Sequence, residues 1–234
     1  MSITKTIATA SLIIALTTSA SLAEKSGFYG QIFGGVNILQ DLNFAGNITT
    51  PGGTGPQAVN NDFDEGYNIG IAVGTYIPSW SNGKFATRAE IELSYSENDV
   101  NTINFSGNGP GAEANVAGDS SSTKLFANLL VDIKTANPRL TPYFGGGIGI
   151  SFAKQDLVYG PGIRISESDE VFAAQLIVGT AYKLTDTLDL TLDGRYSRAF
   201  NVSSNRFSPT GVSTGVVEDD VDNLSINIGL RMNF

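Results

Sequence analysis

Leu224, Ile226, Ile228, Leu230, Met232 and Phe234 are apolar at every second position, with Ser225, Asn227, Gly229, Arg231 and Asn233 between them. A period of two marks a strand with one apolar and one polar face. Seven further segments carry the same pattern. The first places Phe28, Ile32, Val36 and Ile38 against Tyr29, Gln31, Phe33 and Asn37, with glycines on both faces. The second sets Phe63, Tyr67, Ile69, Ile71 and Val73 against Asp64, Asn68 and glycines, and the third sets Phe85, Ala89, Ile91, Leu93 and Tyr95 against Arg88, Glu90, Glu92 and Ser94. The fourth opposes Leu125, Ala127, Leu129, Val131 and Ile133 to Lys124, Phe126, Asn128 and Asp132. The fifth opposes Phe144, Ile148, Ile150 and Phe152 to Tyr143, Ser151 and three glycines. The sixth and seventh oppose Phe172, Leu176, Val178 and Tyr182 to Gln175 and Lys183, and Leu188, Leu190, Leu192 and Tyr196 to Asp189, Asp193 and Arg195.

A soluble sandwich also alternates, but three features point elsewhere. The segments run about 10–14 residues, whereas soluble strands average about 5–6 and a tilted membrane strand needs about 9–11. Charges sit in mid-strand on the polar face, the arrangement of a barrel with lipid outside and a polar lumen within. Apolar-face aromatics gather at strand ends, at Phe28, Phe63, Phe85, Tyr95, Phe144, Phe152, Phe172, Tyr182, Tyr196 and Phe234, where two aromatic girdles belong.

The connections alternate in length. Short ones fall at about 77–84, 135–140 and 185–187, and long ones at about 40–62, 97–121, 154–170 and 199–221. Short periplasmic turns and long external loops follow from that alternation. The expectation is an all-β fold: an eight-stranded antiparallel up-and-down transmembrane β-barrel with four long extracellular loops and both termini on the periplasmic side. The sheet must close, because lipid satisfies no backbone hydrogen bond. Extra strand pairs extending beyond the membrane are compatible with the pattern.

The beginning of the chain carries a different signal. Lys5 precedes an apolar stretch around Leu12–Leu16, and Ser21-Leu22-Ala23 closes it on small residues. This reads as a secretory signal peptide over 1–23, leaving a barrel domain over 24–234. Cysteine and histidine are both absent, which excludes disulfides, thiol chemistry and imidazole catalysis. The net charge of −9 speaks against nucleic acid as a partner. The four long connections hold 13 acidic and 3 basic residues, so the excess negative charge faces outward.

Candidate chemistry lies on the polar faces. Arg88, Glu90, Glu92, Lys124, Asp132, Asp189, Asp193, Arg195 and Arg231, with Gln175 and Lys183, form the expected lumen-facing set. An eight-stranded barrel is just wide enough for side chains to fill it, and charges buried there must pair. The expectation is therefore an interior charge network. A narrow gated conduit is the alternative, and a catalytic carboxylate pair does not fit charges so densely mixed in sign. Glu218, Asp219, Asp220 and Asp222 invite a calcium reading but lack the glycine and distal glutamate of an EF-hand loop. The run Phe144–Gly149 lacks the helix and Lys-Ser/Thr of a phosphate loop; its alternating glycines relieve crowding inside a tapering barrel. No cofactor or metal is expected. Asn47–Thr49 and Asn104–Ser106 match glycosylation sequons by chance.

The stretches "GFYGQIFGGVNI", "RAEIELSYSEND", "FANLLVDI", "LTPYFGGGIGISFA" and "FAAQLIVGTAYKLTDTLDLTLDGRYS", with the terminal Phe, resemble the opacity-type outer-membrane β-barrel family. That porin-family group is similar to the transmembrane domain of outer membrane protein A, and two of the stretches resemble its surface-antigen branch. The resemblance implies location in the bacterial outer membrane, in contact with its lipid and lipopolysaccharide. It also implies surface exposure, antigenicity and, in some members, adhesion to host surface molecules. Ile226, Ile228, Leu230, Met232 and Phe234 resemble the C-terminal assembly signal read by the barrel-insertion machinery. The function expected is a non-enzymatic surface protein, structural or adhesive, that presents acidic flexible loops; the alternative is a small gated pore for small or hydrophobic solutes.

Overall fold

The backbone groups of a chain in lipid must find partners within the chain, and here they do so around a complete ring. The computed structural model describes residues 27–40, 42–50, 53–107, 112–113, 116–159, 163–207 and 213–234. The expected signal peptide lies outside the described residues.

In chain order the strands are β1 (Phe28–Leu39), β2 (Leu42–Thr50), β3 (Gly53–Phe63), β4 (Gly66–Ile77), β5 (Phe85–Gly107), β6 (Ala112–Glu113), β7 (Val116–Ile133), β8 (Leu140–Tyr159), β9 (Ile163–Lys183), β10 (Leu188–Phe207) and β11 (Ser213–Asn233). Eight of them form antiparallel staves in the order β1, β4, β5, β7, β8, β9, β10, β11. β11 then returns to β1 in a register running from Tyr29↔Asn233 to Leu39↔Asn223. The last amide is used too: Phe234 N–H donates to the Phe28 carbonyl at 2.9 Å.

The apolar face of each stave points outward. Leu176, Val178 and Ile148 are 64%, 67% and 62% exposed, values that make sense only against lipid. Phe85 to Tyr95 on β5 spans about 34 Å of strand, which a typical tilt of about 40° projects to about 26 Å, the height of an outer-membrane apolar band. Tyr67 and Tyr95, whose rings pack at 6.1 Å, mark the outer border, and both hydroxyls donate to Glu97 Oε2. On the β9–β10 side of the barrel Phe172 and Phe200 stack at 5.8 Å. Phe28, Phe85, Phe144 and Tyr182 mark the periplasmic border.

Short polar side chains close the periplasmic turns. Asn82 Oδ1 accepts from the amides of Lys84 and Phe85, Asn137 Oδ1 from that of Arg139, and Thr185 Oγ1 from those of Thr187 and Leu188. Such local acceptors fix tight turns without further chain.

The long connections differ from open loops. β5 continues to Gly107, β8 to Tyr159 and β10 to Phe207, each paired with its neighbour well beyond the aromatic border. β2 and β3 prolong the first hairpin: β3 pairs with the outer end of β5, and β2 meets β11 at Ala45↔Glu218. Paired backbone costs less to leave above the membrane than unpaired backbone, so the sheet extends outward wherever register allows.

Two register shifts change which face a residue takes. Between Asp62 and Phe63 the pairing with β5 slips, and Phe63 turns inward to 9% exposure. Phe63 therefore does not belong to the aromatic girdle expected from its spacing to Tyr67; the break at Asp64 and Glu65 inverts the phase. Between Ala199 and Val202 a bulge centred on Asn201, at φ 54°, brings both Ala199 and Val202 inward. Asn tolerates the left-handed region better than most residues, so it is suited to that position.

Candidate functional site in the barrel lumen

Inward-facing residues fill the barrel in layers. At the periplasmic end Arg88, 1% exposed, is held on all sides. Its Nε donates to Asp132 Oδ1 at 3.0 Å, and its Nη1 donates to Glu90 Oε2 at 3.0 Å and to the Tyr29 hydroxyl at 2.6 Å. Tyr29 in turn donates to Glu90 Oε2 at 2.8 Å. The guanidinium lies between two rings, 5.2 Å from the Tyr29 centroid and 4.9 Å from that of Tyr143. Beside it, Arg231 donates from Nε and Nη2 to Asp189 Oδ2 at 3.1 and 3.0 Å.

One layer higher, Arg195 bridges Glu92 and Asp193. Its Nη1 stands 2.7 Å from Glu92 Oε2 and its Nε 2.8 Å from Asp193 Oδ1. Its guanidinium lies 3.8 Å above the Phe33 ring. Glu92 also accepts from Asn128 at 2.8 Å and Gln175 at 3.0 Å, and Asp193 from the Tyr143 hydroxyl at 2.9 Å. Each buried carboxylate thus meets a guanidinium or several donors, the condition for burying charge at tolerable cost.

Lys124 is buried above this layer, and its Nζ donates to Ser96 Oγ at 3.3 Å rather than to a carboxylate. Around it Ser122 and Ser151 share a hydrogen bond of 2.7 Å, and Asn37 links Asn98 and Asn223. Toward the outside, Leu39, Phe63, Val100, Leu157, Val202 and Val221 pack together with Phe126. Among the described residues the outer part of the lumen is therefore largely apolar, with Gln155 and Asn98 buried at its inner edge. An apolar plug fills the outer part, where the alternation led to the expectation of a polar lumen.

The structure brings Arg88, Glu90, Glu92, Asp132, Asp189, Asp193, Arg195 and Arg231 into one connected set. It does not bring Lys183 into that set. Lys183 stands at the periplasmic rim, 44% exposed, paired with Asp186 at 2.8 Å. The strand ends there, so its side chain reaches water instead of the interior.

Three aromatic residues of the network, Tyr29, Phe33 and Tyr143, do not announce themselves by charge. Each lies opposite a glycine of the next strand: Tyr29↔Gly74, Phe33↔Gly70 and Tyr143↔Gly179. A Cβ at any of these glycines would overlap the ring. The rings lie down over the glycines and offer their faces to Arg88 and Arg195, a stacking geometry that Arg favours. An inward aromatic in register with an inward glycine is the sequence signal for this.

Above the membrane, Arg198 donates to Asp222 from Nε and Nη2 at 2.6 Å each and stands 3.8 Å from Asp220. These two members of the acidic run are thereby engaged in an ion-pair cluster; the side chains of Glu218 and Asp219 lie outside the described residues. Asp119, on the outer part of β7, has its carboxyl pKa raised, first by desolvation and then by Glu97. Among the described residues no helix is long and apolar enough to cross a membrane, and the crossing is made by strands.

The comparisons agree with this architecture. A family model for the outer membrane protein beta-barrel domain matches residues 7–234. An uncharacterized protein of Brucella abortus (strain 2308) is 39% identical over 82 residues, covering 31% of this chain and 28% of its own length. The outer membrane protein OprG from Pseudomonas aeruginosa is similar in fold, with a TM-score of 0.53 at 13% identity over 90% of this chain and 98% of its own. The outer membrane protease OmpT from Escherichia coli gives 0.52 at 9% identity, covering 92% and 99%. At such identities the likeness concerns the fold alone. The closed ring, the lipid-facing belt and the match over nearly the whole length lead to one conclusion: this chain belongs to the outer membrane protein β-barrel domain family, and it is a protein of the outer membrane.

Proposed function

We propose that this barrel is a non-enzymatic surface protein that carries its outward β-hairpins as an interaction platform, structural or adhesive in role. The observation that carries this reading is the filled interior. Side chains occupy the lumen from the Arg88 layer to the apolar plug of Leu39, Leu157 and Val221. A filled lumen leaves the outer hairpins as the part available for other molecules. Those hairpins rise on continuous paired strands, and the sequence that builds them is strongly acidic. They suit host surface molecules that present basic faces. The pore reading finds no such support, because a conduit would have to cross the plug.

In this reading residues 1–23 are removed on export. Ile226, Ile228, Leu230, Met232 and Phe234 serve the insertion machinery before they face lipid. Replacing the outer ends of the β5–β7 and β10–β11 hairpins with short turns tests the platform. Such variants fold and lose adhesion of cells that display the barrel; adhesion unchanged in both would refute it.

A further inference from the structure

We propose that the periplasmic rim along β5, β7, β8 and β9 binds anionic phospholipids of the surrounding leaflet in preference to zwitterionic ones. Four cationic residues stand on these consecutive staves: Lys84 just before β5, Lys134 just after β7, Arg139 just before β8 and Lys183 at the end of β9. They form two like-charge pairs. Lys134 N–H donates to the Lys84 carbonyl at 2.9 Å, one rung beyond Phe85↔Ile133. Lys183 N–H donates to the Arg139 carbonyl at 2.8 Å, one rung beyond Leu140↔Tyr182. Like charges directly opposite destabilise a sheet, and a counter-anion relieves that repulsion.

The rim does not neutralise this charge itself. Across the turns 78–84, 134–139 and 184–187 the one acidic residue is Asp186, which pairs with Lys183 at 2.8 Å. Lys134 Nζ donates to the uncharged Asn82 carbonyl at 3.1 Å. Among the described residues no carboxylate pairs with Lys84, Lys134 or Arg139, and all three are exposed. Their positions follow the lumen phase of the strands, but past the last rung no wall encloses them. Long Lys and Arg side chains at such an edge bend to reach headgroups.

Contact with lipid at this height follows from the fold. Phe85, Phe144 and Tyr182, on three of the same staves, are exposed on the lipid side at the periplasmic border. Only the choice among headgroups is open, and charge makes it. A zwitterionic headgroup brings an ammonium toward cations that have no counterion. An anionic headgroup brings only negative charge, and its acyl chains stay beside the aromatic border. The outer ends of these staves have the opposite character: Glu97, Asp99, Asp119 and Asp156 stand there with Lys154. The preference therefore belongs to the periplasmic leaflet.

The chain carries its own reporter. Trp80 is its one tryptophan, 63% exposed in the turn that ends at Lys84. The folded full barrel is placed in phosphatidylcholine vesicles with a minor share of phosphatidylglycerol, and bromine is carried by one lipid or the other. Per brominated molecule, phosphatidylglycerol quenches Trp80 about fivefold more than phosphatidylcholine, and high salt removes the excess. Lys84→Gln lowers the excess part of the way, and adding Lys134→Gln and Arg139→Gln abolishes it. Lys154→Gln, at the outer end, leaves it unchanged. The proposal is overturned if the two lipids quench equally, if the Lys84→Gln and triple variants keep the full excess, or if inorganic phosphate abolishes it at constant ionic strength, which would make free phosphate the ligand. Absence of quenching by either lipid would place the rim outside the bilayer and overturn it as well.

Discussion

Removing the Glu92 carboxylate tests whether the lumen network holds the barrel together. Glu92 is 1% exposed, stands 2.7 Å from Arg195 Nη1 in an ion pair, and accepts from Asn128 and Gln175 at 2.8 and 3.0 Å. Removing one partner of a buried ion pair costs about 3–5 kcal/mol. The neighbours soften the loss: Asn128 can still donate to Glu90, Gln175 to the Asn128 carbonyl oxygen, and Arg195 to Asp193. Glu92→Ala should therefore destabilise by the lower figure, about 3 kcal/mol. Adding Arg195→Met removes the stranded cation with a side chain of similar length. Asp193 then keeps Tyr143 and Asn227 as donors. The double variant should regain about half of the loss, since replacing both members of a buried pair by apolar groups is often close to neutral. The assay is reversible urea unfolding in lipid vesicles, followed by far-UV circular dichroism and by the shift in gel mobility between folded and unfolded barrel. A Glu92→Ala variant within about 1 kcal/mol of the parent, or a double variant as unstable as the sum of the singles, would refute the reasoning.

Gly74→Ala should cost about 1–3 kcal/mol in the same assay, because its Cβ displaces the Tyr29 ring from beneath Arg88, whereas Gly83→Ala, which meets nothing within 4 Å, should cost far less. Asp119→Asn should raise the unfolding midpoint at neutral pH. Its folded-state pKa is raised, so the ionised carboxylate disfavours the folded form above the unfolded pKa, and the gain should vanish as acidification protonates Asp119 in both states. Deleting Phe234 should impair outer-membrane insertion in cells, read by surface labelling, far more than refolding in detergent; equal impairment would leave Phe234 only its packing against β1.

The eight staves and their outward faces were legible because lipid imposes a strict period of two, and nothing in the membrane interrupts it. The charged members of the network were legible for the same reason: Arg88, Glu90, Glu92, Asp193 and Arg195 share phase with the other polar residues of their strands. Three things were hidden. Tyr29, Phe33 and Tyr143 carry no charge, and their role depends on glycines across the strand pair, a long-range register. The apolar plug draws on Phe63 and Val202, whose faces are set by a phase break and a bulge that local alternation does not reveal. The outward strands are rich in Gly, Asn and Ser, a composition that reads as loop, yet backbone pairing with the neighbouring strand keeps them extended. Lys183 keeps the correct phase but sits one step too close to the strand end to be enclosed.

The central claim is that the interior is closed and that the barrel acts through its outward hairpins. Conductance across a planar lipid bilayer holding the folded barrel tests it most directly. The filled charge layers and the plug of Leu39, Phe63, Val100, Leu157, Val202 and Val221 predict a silent membrane at all applied voltages. Steady, reproducible open levels from the unaltered protein would contradict the account.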